Sequence, residues 1–142
     1  MGSRQARQRF GAINGGEYPD NGGGGNGSIP IGITYSKGKC VYEDKYTQRT
    51  FMGFDKNNNM VLREGMTRDL AESLGVRDGV CFQTNNILIQ KNGDKLTVRR
   101  RNDSAASQRT AIGLREDGAV IFIVTDGRTP ASLGASFNVM ID

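Results

Sequence analysis

Residues 108–126 read QRTAIGLREDGAVIFIVTD, and this stretch of the chain decides the fold. The apolar run Thr110–Leu114 is followed by the polar turn Arg115–Gly118 and then by Ala119–Val124, the most hydrophobic segment of the protein. Two apolar runs joined by a short polar turn predict a β-hairpin. Because the second run is apolar on both faces, we expect its strand to lie in the middle of a covered sheet. The segment Asp126–Arg128 follows directly, so the pattern places charged residues at the edge of the core.

Length and composition indicate the class of fold. The chain has 142 residues, of which 36% are apolar and 7% aromatic, and it contains 20 glycines. This length predicts a single domain over residues 1–142. The many glycines favour turns and loops over a helical bundle. We therefore predict an α+β fold: a mostly antiparallel, twisted sheet of several hairpins with one or two packed helices.

The remaining elements follow from apolar runs and turn residues. The predicted hairpins pair Ile31–Tyr35 with Cys40–Tyr42, Arg49–Phe54 with Met60–Leu62, and Ile87–Ile89 with Leu96–Val98, and a further buried strand covers Val80–Phe82. The segment Thr67–Leu74 predicts a helix, with Thr67 as its N-cap and Gly75 at its end. Short helices are also predicted for the basic segment Arg4–Phe10 and for Ser136–Asp142. The glycine-rich segment Asn21–Ser28 predicts a flexible loop.

The sequence lacks the residues that several classes of function usually need. The chain has no histidine, so any catalysis depends on carboxylates, arginines, hydroxyls and backbone groups. The net charge of +4 is weak, and aromatic residues do not interleave with the basic ones, so we expect no nucleic-acid partner. We also predict no membrane segment, because no run of 18 apolar residues occurs. Cys40 and Cys81 fit either a disulfide or two buried thiols.

Antiparallel pairing of the hairpin brings Arg109, at the start of one strand, beside Asp126–Arg128, at the end of the other. Such a cluster fits two interpretations: an anion site, or an Arg109–Asp126 ion pair that closes the end of the sheet. The corner Asn14–Gly16 likewise fits two interpretations: a backbone site that binds a ligand, or a plain turn. The run Arg99–Arg101 fits a phosphate grip or, more commonly, a solvated loop.

An ordered set of blocks resembles the phosphodiester glycosidase family, which includes the enzyme that uncovers mannose-6-phosphate by removing N-acetylglucosamine from a phosphodiester. The blocks are Ala12–Gly16 (AINGG), Pro30–Gly32, Ser36–Lys39, Gly53–Lys56, Leu74–Asp78, Arg109–Gly113, Asp117–Gly118, Asp126–Arg128 and Ser132–Ala135. The resemblance implies hydrolysis of a sugar-1-phosphodiester in a glycan or cell-surface polysaccharide. It also implies an extracellular or cell-surface location, since bacterial relatives carry the domain in cell-surface and exopolysaccharide-associated proteins.

The resemblance assigns roles to residues of the two clusters. Asp126 and Arg109 are the candidate catalytic residues, because a carboxylate can transfer protons and an arginine can offset phosphate charge. The candidate substrate-binding residues are Asn14, Gly15, Gly16, Thr110, Gly127, Arg128, Ser132 and Gly134. Glu17 and Asp20 are weaker candidates for a second carboxylate. No cofactor or metal motif is visible, although carbonyls and carboxylates in loops are able to bind calcium.

The chain departs from the family pattern in two ways. Glu17 follows the corner where the family has an aromatic pair, and the chain ends before the family's C-terminal Asp-Gly-Gly motif. We therefore expect a partial domain. The alternative function is a non-catalytic carbohydrate- or phosphate-binding domain, or an inactive fragment.

Overall fold

The computed structural model describes residues 13–44, 49–83, 86–102 and 105–142. Its elements in chain order are β1 (Ile33–Ser36), β2 (Lys39–Glu43), β3 (Thr50–Asp55), β4 (Met60–Glu64), α1 (Arg68–Ser73), β5 (Val76–Phe82), β6 (Ile89–Asn92), β7 (Lys95–Val98), β8 (Arg109–Leu114), β9 (Val120–Thr125) and α2 (Phe137–Ile141). The predicted helix Arg4–Phe10 and the first residue of the AINGG block, Ala12, lie outside the described residues. None of the described helices is long and apolar enough to cross a membrane.

The architecture is mainly antiparallel β, with two short helices, and the predicted hairpins all form. Five strands build the main sheet in the order β2-β1-β5-β3-β4. β6 and β7 form one two-stranded ribbon, and β8 and β9 form another. The mostly antiparallel α+β prediction is therefore confirmed in outline, although the strands form one sheet and two separate ribbons.

The hydrophobic core lies on the five-stranded sheet. Seven buried residues form it: Ile33, Tyr35, Phe51, Met66, Ala71, Val76 and Cys81. Phe51, which is fully buried, lies across Gly53 and Gly79 at the centre of the sheet. These two glycines face each other in the β3–β5 register, and a Cβ on either would overlap its neighbours. Glycine is thus required where the aromatic ring and two strands meet.

The helix α1 begins and ends as the sequence predicts. Thr67 is the N-cap, and its hydroxyl accepts a hydrogen bond of 3.3 Å from the backbone N–H of Leu70. Gly75 has φ +65, a left-handed conformation that ends the helix at low steric cost. Ala71 is the buried residue of the helix and belongs to the core.

The position predicted for the strand β9 is wrong. Val120–Val124 is exposed along its whole length, between 41% and 63% for each residue, rather than covered in a sheet. Within the described residues, β9 pairs only with β8. Apolar periodicity predicted the strand but not its neighbours, because burial on both faces requires partner elements that the hairpin itself does not contain.

Candidate functional site

One end of the β8–β9 ribbon gathers most of the predicted site residues. Arg109 pairs with Thr125 in the register of the two strands. The backbone N–H of Arg109 also donates a hydrogen bond of 3.1 Å to the Thr125 hydroxyl. This pairing places the backbone of Arg109 next to the end of β9, from which Asp126 follows, as the sequence predicted. We call Arg109, Asp126, Gly127, Arg128, Ser132 and Gly134 the ribbon-end cluster.

The Arg109 guanidinium is held by backbone and by an aromatic ring. Its Nε donates to the carbonyl of Ala135 at 3.2 Å, and its Nη2 donates to the carbonyl of Ala105 at 3.0 Å. The guanidinium carbon lies 4.1 Å from the centroid of the Phe137 ring. An arginine has five N–H donors, so three remain available after these two bonds. Arg109 makes no ion pair with Asp126, and the alternative of an ion pair closing the sheet end is therefore wrong.

Two glycines of the cluster allow close backbone packing around Ser107, which is 5% exposed. Ser107 bridges to Ala135 through bonds of 3.2 Å and 2.9 Å. A Cβ on Gly127 or on Gly134 would overlap the backbone of Ser107 and its neighbour. The glycines thus place the 126–134 loop directly against the residues that precede β8.

Asp126 and Arg128 present unpaired charges at the surface. Both residues are exposed, and within the described residues neither side chain has a hydrogen-bond or ion-pair partner. Arg128 has φ +58, a conformation that is uncommon for a residue with a side chain. The loop is tied by Ser132, whose hydroxyl donates to the Asp126 carbonyl at 3.0 Å. Thr110 lies nearby on β8, exposed and opposite Val124.

The corner Asn14–Gly16 lies against the five-stranded sheet instead. Gly15 and Gly16 pack toward Val80 of β5, where a Cβ on either would lie 3.9 Å or 3.8 Å from that side chain. The next residue, Glu17, donates from its backbone N–H to the Cys81 carbonyl at 2.9 Å. No hydrogen bond or ion pair between described residues joins this corner to the ribbon-end cluster. Among the described residues, the two predicted groups are therefore not linked by polar contacts.

A pocket of about 210 Å³ lies at the corner. Its wall includes Gly15, Gly16, Glu17, Tyr18 and Thr34. We call this space the corner pocket.

The side chain of Glu17 is only 13% exposed, and its Oε2 lies 3.2 Å from the Nε of Arg49. Sequence reasoning rated Glu17 as a weak candidate and did not find Thr34 or Arg49. Neither of these two belongs to a motif, and both reach the corner only through folding of the sheet.

Other candidate groups have partners of their own. Arg99 pairs with Glu64 at 2.9 Å, Arg100 pairs with Asp142, and Arg101 donates to Asn86 at 3.0 Å. Each arginine of the run Arg99–Arg101 therefore has a polar partner within the fold. Cys40 and Cys81 are both free, and burial raises the pKa of the Cys81 thiol. Among the described residues no group of three or more acidic, histidine or cysteine side chains is arranged to hold a metal ion.

Comparison with known proteins gives one match. The family model described as phosphodiester glycosidase matches residues 8–142. No curated protein and no solved structure matches the chain significantly. The matched range includes both the corner and the ribbon-end cluster and covers nearly the whole sequence. The chain therefore belongs to the phosphodiester glycosidase family.

Proposed function

We propose that the chain hydrolyses a sugar-1-phosphodiester linkage in a glycan or cell-surface polysaccharide. Family membership supports the reaction class. The observation that carries the proposal is the ribbon-end cluster, where an unpaired carboxylate and an unpaired guanidinium, two residues apart in the chain, follow the end of the strand that pairs with the restrained Arg109. The sugar-1-phosphodiester presents negative oxygens for the arginines, and the water that attacks its anomeric carbon needs a base, which the carboxylate supplies.

The charged residues of the cluster bind the phosphate and activate the attacking water. Arg128 and the three remaining donors of Arg109 hold the phosphate oxygens and stabilise the charge that develops on them. Asp126 accepts a proton from the water that attacks the anomeric carbon. The bond between that carbon and the phosphate oxygen breaks as the water oxygen bonds to the carbon, which releases a free sugar and a phosphomonoester.

The loop around these residues determines how the phosphate approaches. Gly127, Ser132 and Gly134 shape the loop, and Thr110 lies at its edge. The corner residues Asn14, Gly15 and Gly16 bind sugar hydroxyls of the same polymer, since their backbone is open to close approach.

The test is release of free sugar from a sugar-1-phosphodiester by the purified chain. Asp126→Asn, Arg109→Ala and Arg128→Ala should each lower kcat/KM by about 100-fold or more, as expected for loss of a group that acts in the transition state. Arg115→Ala is the control, because Arg115 is an exposed arginine at the opposite end of the same ribbon and pairs with Asp117. Unchanged activity in the Asp126→Asn variant would disprove the catalytic role.

The second candidate is a non-catalytic domain that binds carbohydrate or phosphate. The observation that favours it is that, among the residues that the structure describes, Asp126 is the one carboxylate of the ribbon-end cluster, whereas most glycosidases use a pair flanking the bond. Binding of the diester without any release of sugar would support this candidate over hydrolysis. Both candidates place the substrate outside the cell or at its surface, and cell fractionation of the native host tests that location.

A further inference from the structure

Two buried polar atoms on the wall of the corner pocket lack hydrogen-bond partners. Oε2 of Glu17 and Oγ1 of Thr34 are buried without a partner, and both residues line the pocket. Nε of Arg49, a residue that does not line the pocket, forms an ion pair with Oε2 of Glu17 at 3.2 Å, and neither atom has a hydrogen-bond partner. A buried polar atom without a partner costs about 1–3 kcal/mol. An unpartnered threonine hydroxyl and a carboxylate oxygen held only by an ion pair, both on the wall of one cavity, indicate that a hydrogen-bonding ligand enters from it.

The charges at the pocket favour a neutral ligand. Glu17 and Arg49 carry opposite charges, and their side chains are 13% and 30% exposed, respectively. The pair therefore adds no net charge, and a phosphate brought close to Glu17 would meet a carboxylate. Hydroxyl groups, which both donate and accept, can satisfy a carboxylate oxygen and a threonine hydroxyl together.

The size and the wall of the pocket favour a single ring. A volume of about 210 Å³ is below the 300–1,000 Å³ that is common for drug-sized ligands. The polar residues are set among apolar ones, Pro30, Ile31 and Val80. The ring of Tyr18, which is 43% exposed, provides an aromatic surface at the wall. Gly15 and Gly16 add no side chains, so a ligand can approach the backbone closely.

We propose that the corner pocket is a binding site for one neutral pyranose unit of a glycan, with Glu17 and Thr34 as its hydrogen-bonding groups and Tyr18 as its stacking surface. The sugar ring has the required combination of hydroxyl edges and an apolar face. The inference rests on the proposed function for the class of ligand and adds three residues that the proposed function does not use. It assigns the neutral sugar to the corner pocket and the phosphate to the ribbon-end cluster.

Two threonines provide a matched pair for the test. The Oγ1 atoms of Thr34 and Thr50 are both buried without a partner, but only Thr34 lines the pocket. The probes are methyl α-glucoside, methyl α-mannoside and methyl N-acetyl-α-glucosaminide, titrated into the ¹⁵N-labelled chain with amide shifts as the readout. At least one probe should shift the amides of the corner. Thr34→Val should weaken its Kd by about fivefold to tenfold, and Thr50→Val should change it by less than about twofold.

Tyr18→Ala and Tyr18→Phe give a second, independent measurement. Because stacking needs the ring and not the hydroxyl, the phenylalanine variant should keep its affinity and the alanine variant should lose about tenfold. The inference is overturned if no probe shifts the corner amides, if the shifts map to Asp126–Arg128, or if Thr34→Val and Thr50→Val behave alike. Asp126→Asn separates the two proposals, since it should abolish sugar release while leaving binding of the methyl glycoside unchanged.

Discussion

At the scale of single residues, close backbone contacts shape the ribbon-end cluster more than side-chain contacts do. Ser107 is enclosed by Gly127, Gly134 and Ala135. Gly134 also has φ +95, which side chains rarely adopt. The sequence contains both glycines next to the charged residues, but nothing in it points to Ser107 as the residue they enclose.

Gly134→Ala should destabilise the protein by about 2–4 kcal/mol, because the new methyl group would overlap the Ser107 backbone and the left-handed φ would be strained. Urea unfolding followed by circular dichroism measures the change. Gly113→Ala in the adjacent strand is the control, since a Cβ there has nothing within 4 Å. Its effect should be within about 0.5 kcal/mol of zero or slightly stabilising. Equal losses in both variants would contradict the packing at Ser107.

Asp78 should make the stability of the sheet depend on pH. Its Oδ1 accepts from the backbone N–H of Lys37 at 2.8 Å, and its Oδ2 accepts from Nε of Arg77 at 2.6 Å. These bonds, the one from Lys37 first, lower the pKa of Asp78 in the folded protein. A lowered folded pKa stabilises the protein above the unfolded pKa, near 3.9, and the contribution is lost as the pH falls through the folded value.

Asp78→Asn should therefore cost about 0.5–1 kcal/mol at pH 7, a small effect because the Asp78 side chain is 44% exposed. The difference from wild type should shrink as the pH falls below about 4. Urea titrations at several pH values measure it. Asp94→Asn, at an exposed carboxylate in the β6–β7 turn, is the control. Its free energy of unfolding should stay within about 0.5 kcal/mol of the wild-type value at every pH. If the difference in unfolding free energy between Asp78→Asn and wild type widened toward low pH, that result would refute the role of Asp78.

At the scale of elements, the sheet and the β8–β9 ribbon differ in how they use apolar residues. β3 inserts Phe51 into the core, while β9 exposes its apolar residues, and Phe122 is 46% exposed. The sequence of β9 is the more hydrophobic of the two strands, yet its burial is lower. Apolar periodicity depends only on the side chains of the strand itself, whereas burial depends on the elements that pack against the strand.

Phe122→Thr should change the free energy of unfolding by less than about 1 kcal/mol, because the ring loses little burial and threonine suits a strand. Phe51→Ala, at a fully buried position, should cost about 3–5 kcal/mol. Thermal and urea unfolding of both variants compare the two sites. A loss at Phe122 as large as that at Phe51 would show that β9 is covered after all.

At the scale of the whole molecule, the core is concentrated in one part of the chain. All seven core residues lie between Ile33 and Cys81, on or beside the five-stranded sheet. After residue 82, the buried residues of the described chain are Ile87, Ser107 and Ala135. The corner pocket rests on the part with the large core, while the ribbon-end cluster rests on the part with few buried side chains.

Amide hydrogen exchange should reveal this difference. The amides of β3 and β5, at the centre of the sheet, should exchange at least about tenfold more slowly than those of β8 and β9, since a ribbon with exposed side chains opens at a lower free energy. Exchange followed by NMR in the folded chain measures the rates. The β6–β7 ribbon provides an internal comparison and should resemble β8–β9. Equal protection in β5 and β9 would contradict a single dominant core.

The sequence by itself determined the local elements of this protein. Turn residues and apolar periodicity predicted the hairpins, Thr67 and Gly75 predicted the ends of α1, and antiparallel pairing predicted that Arg109 lies next to the end of β9, from which Asp126 follows. These features depend on residues close together in the chain or joined by one tight turn. Only the tertiary structure decided that β9 is exposed, that Ser107 is enclosed by glycines, and that Thr34 and Arg49 lie at the corner with Glu17. Each of these depends on packing between distant segments, which the periodicity of a single segment does not encode.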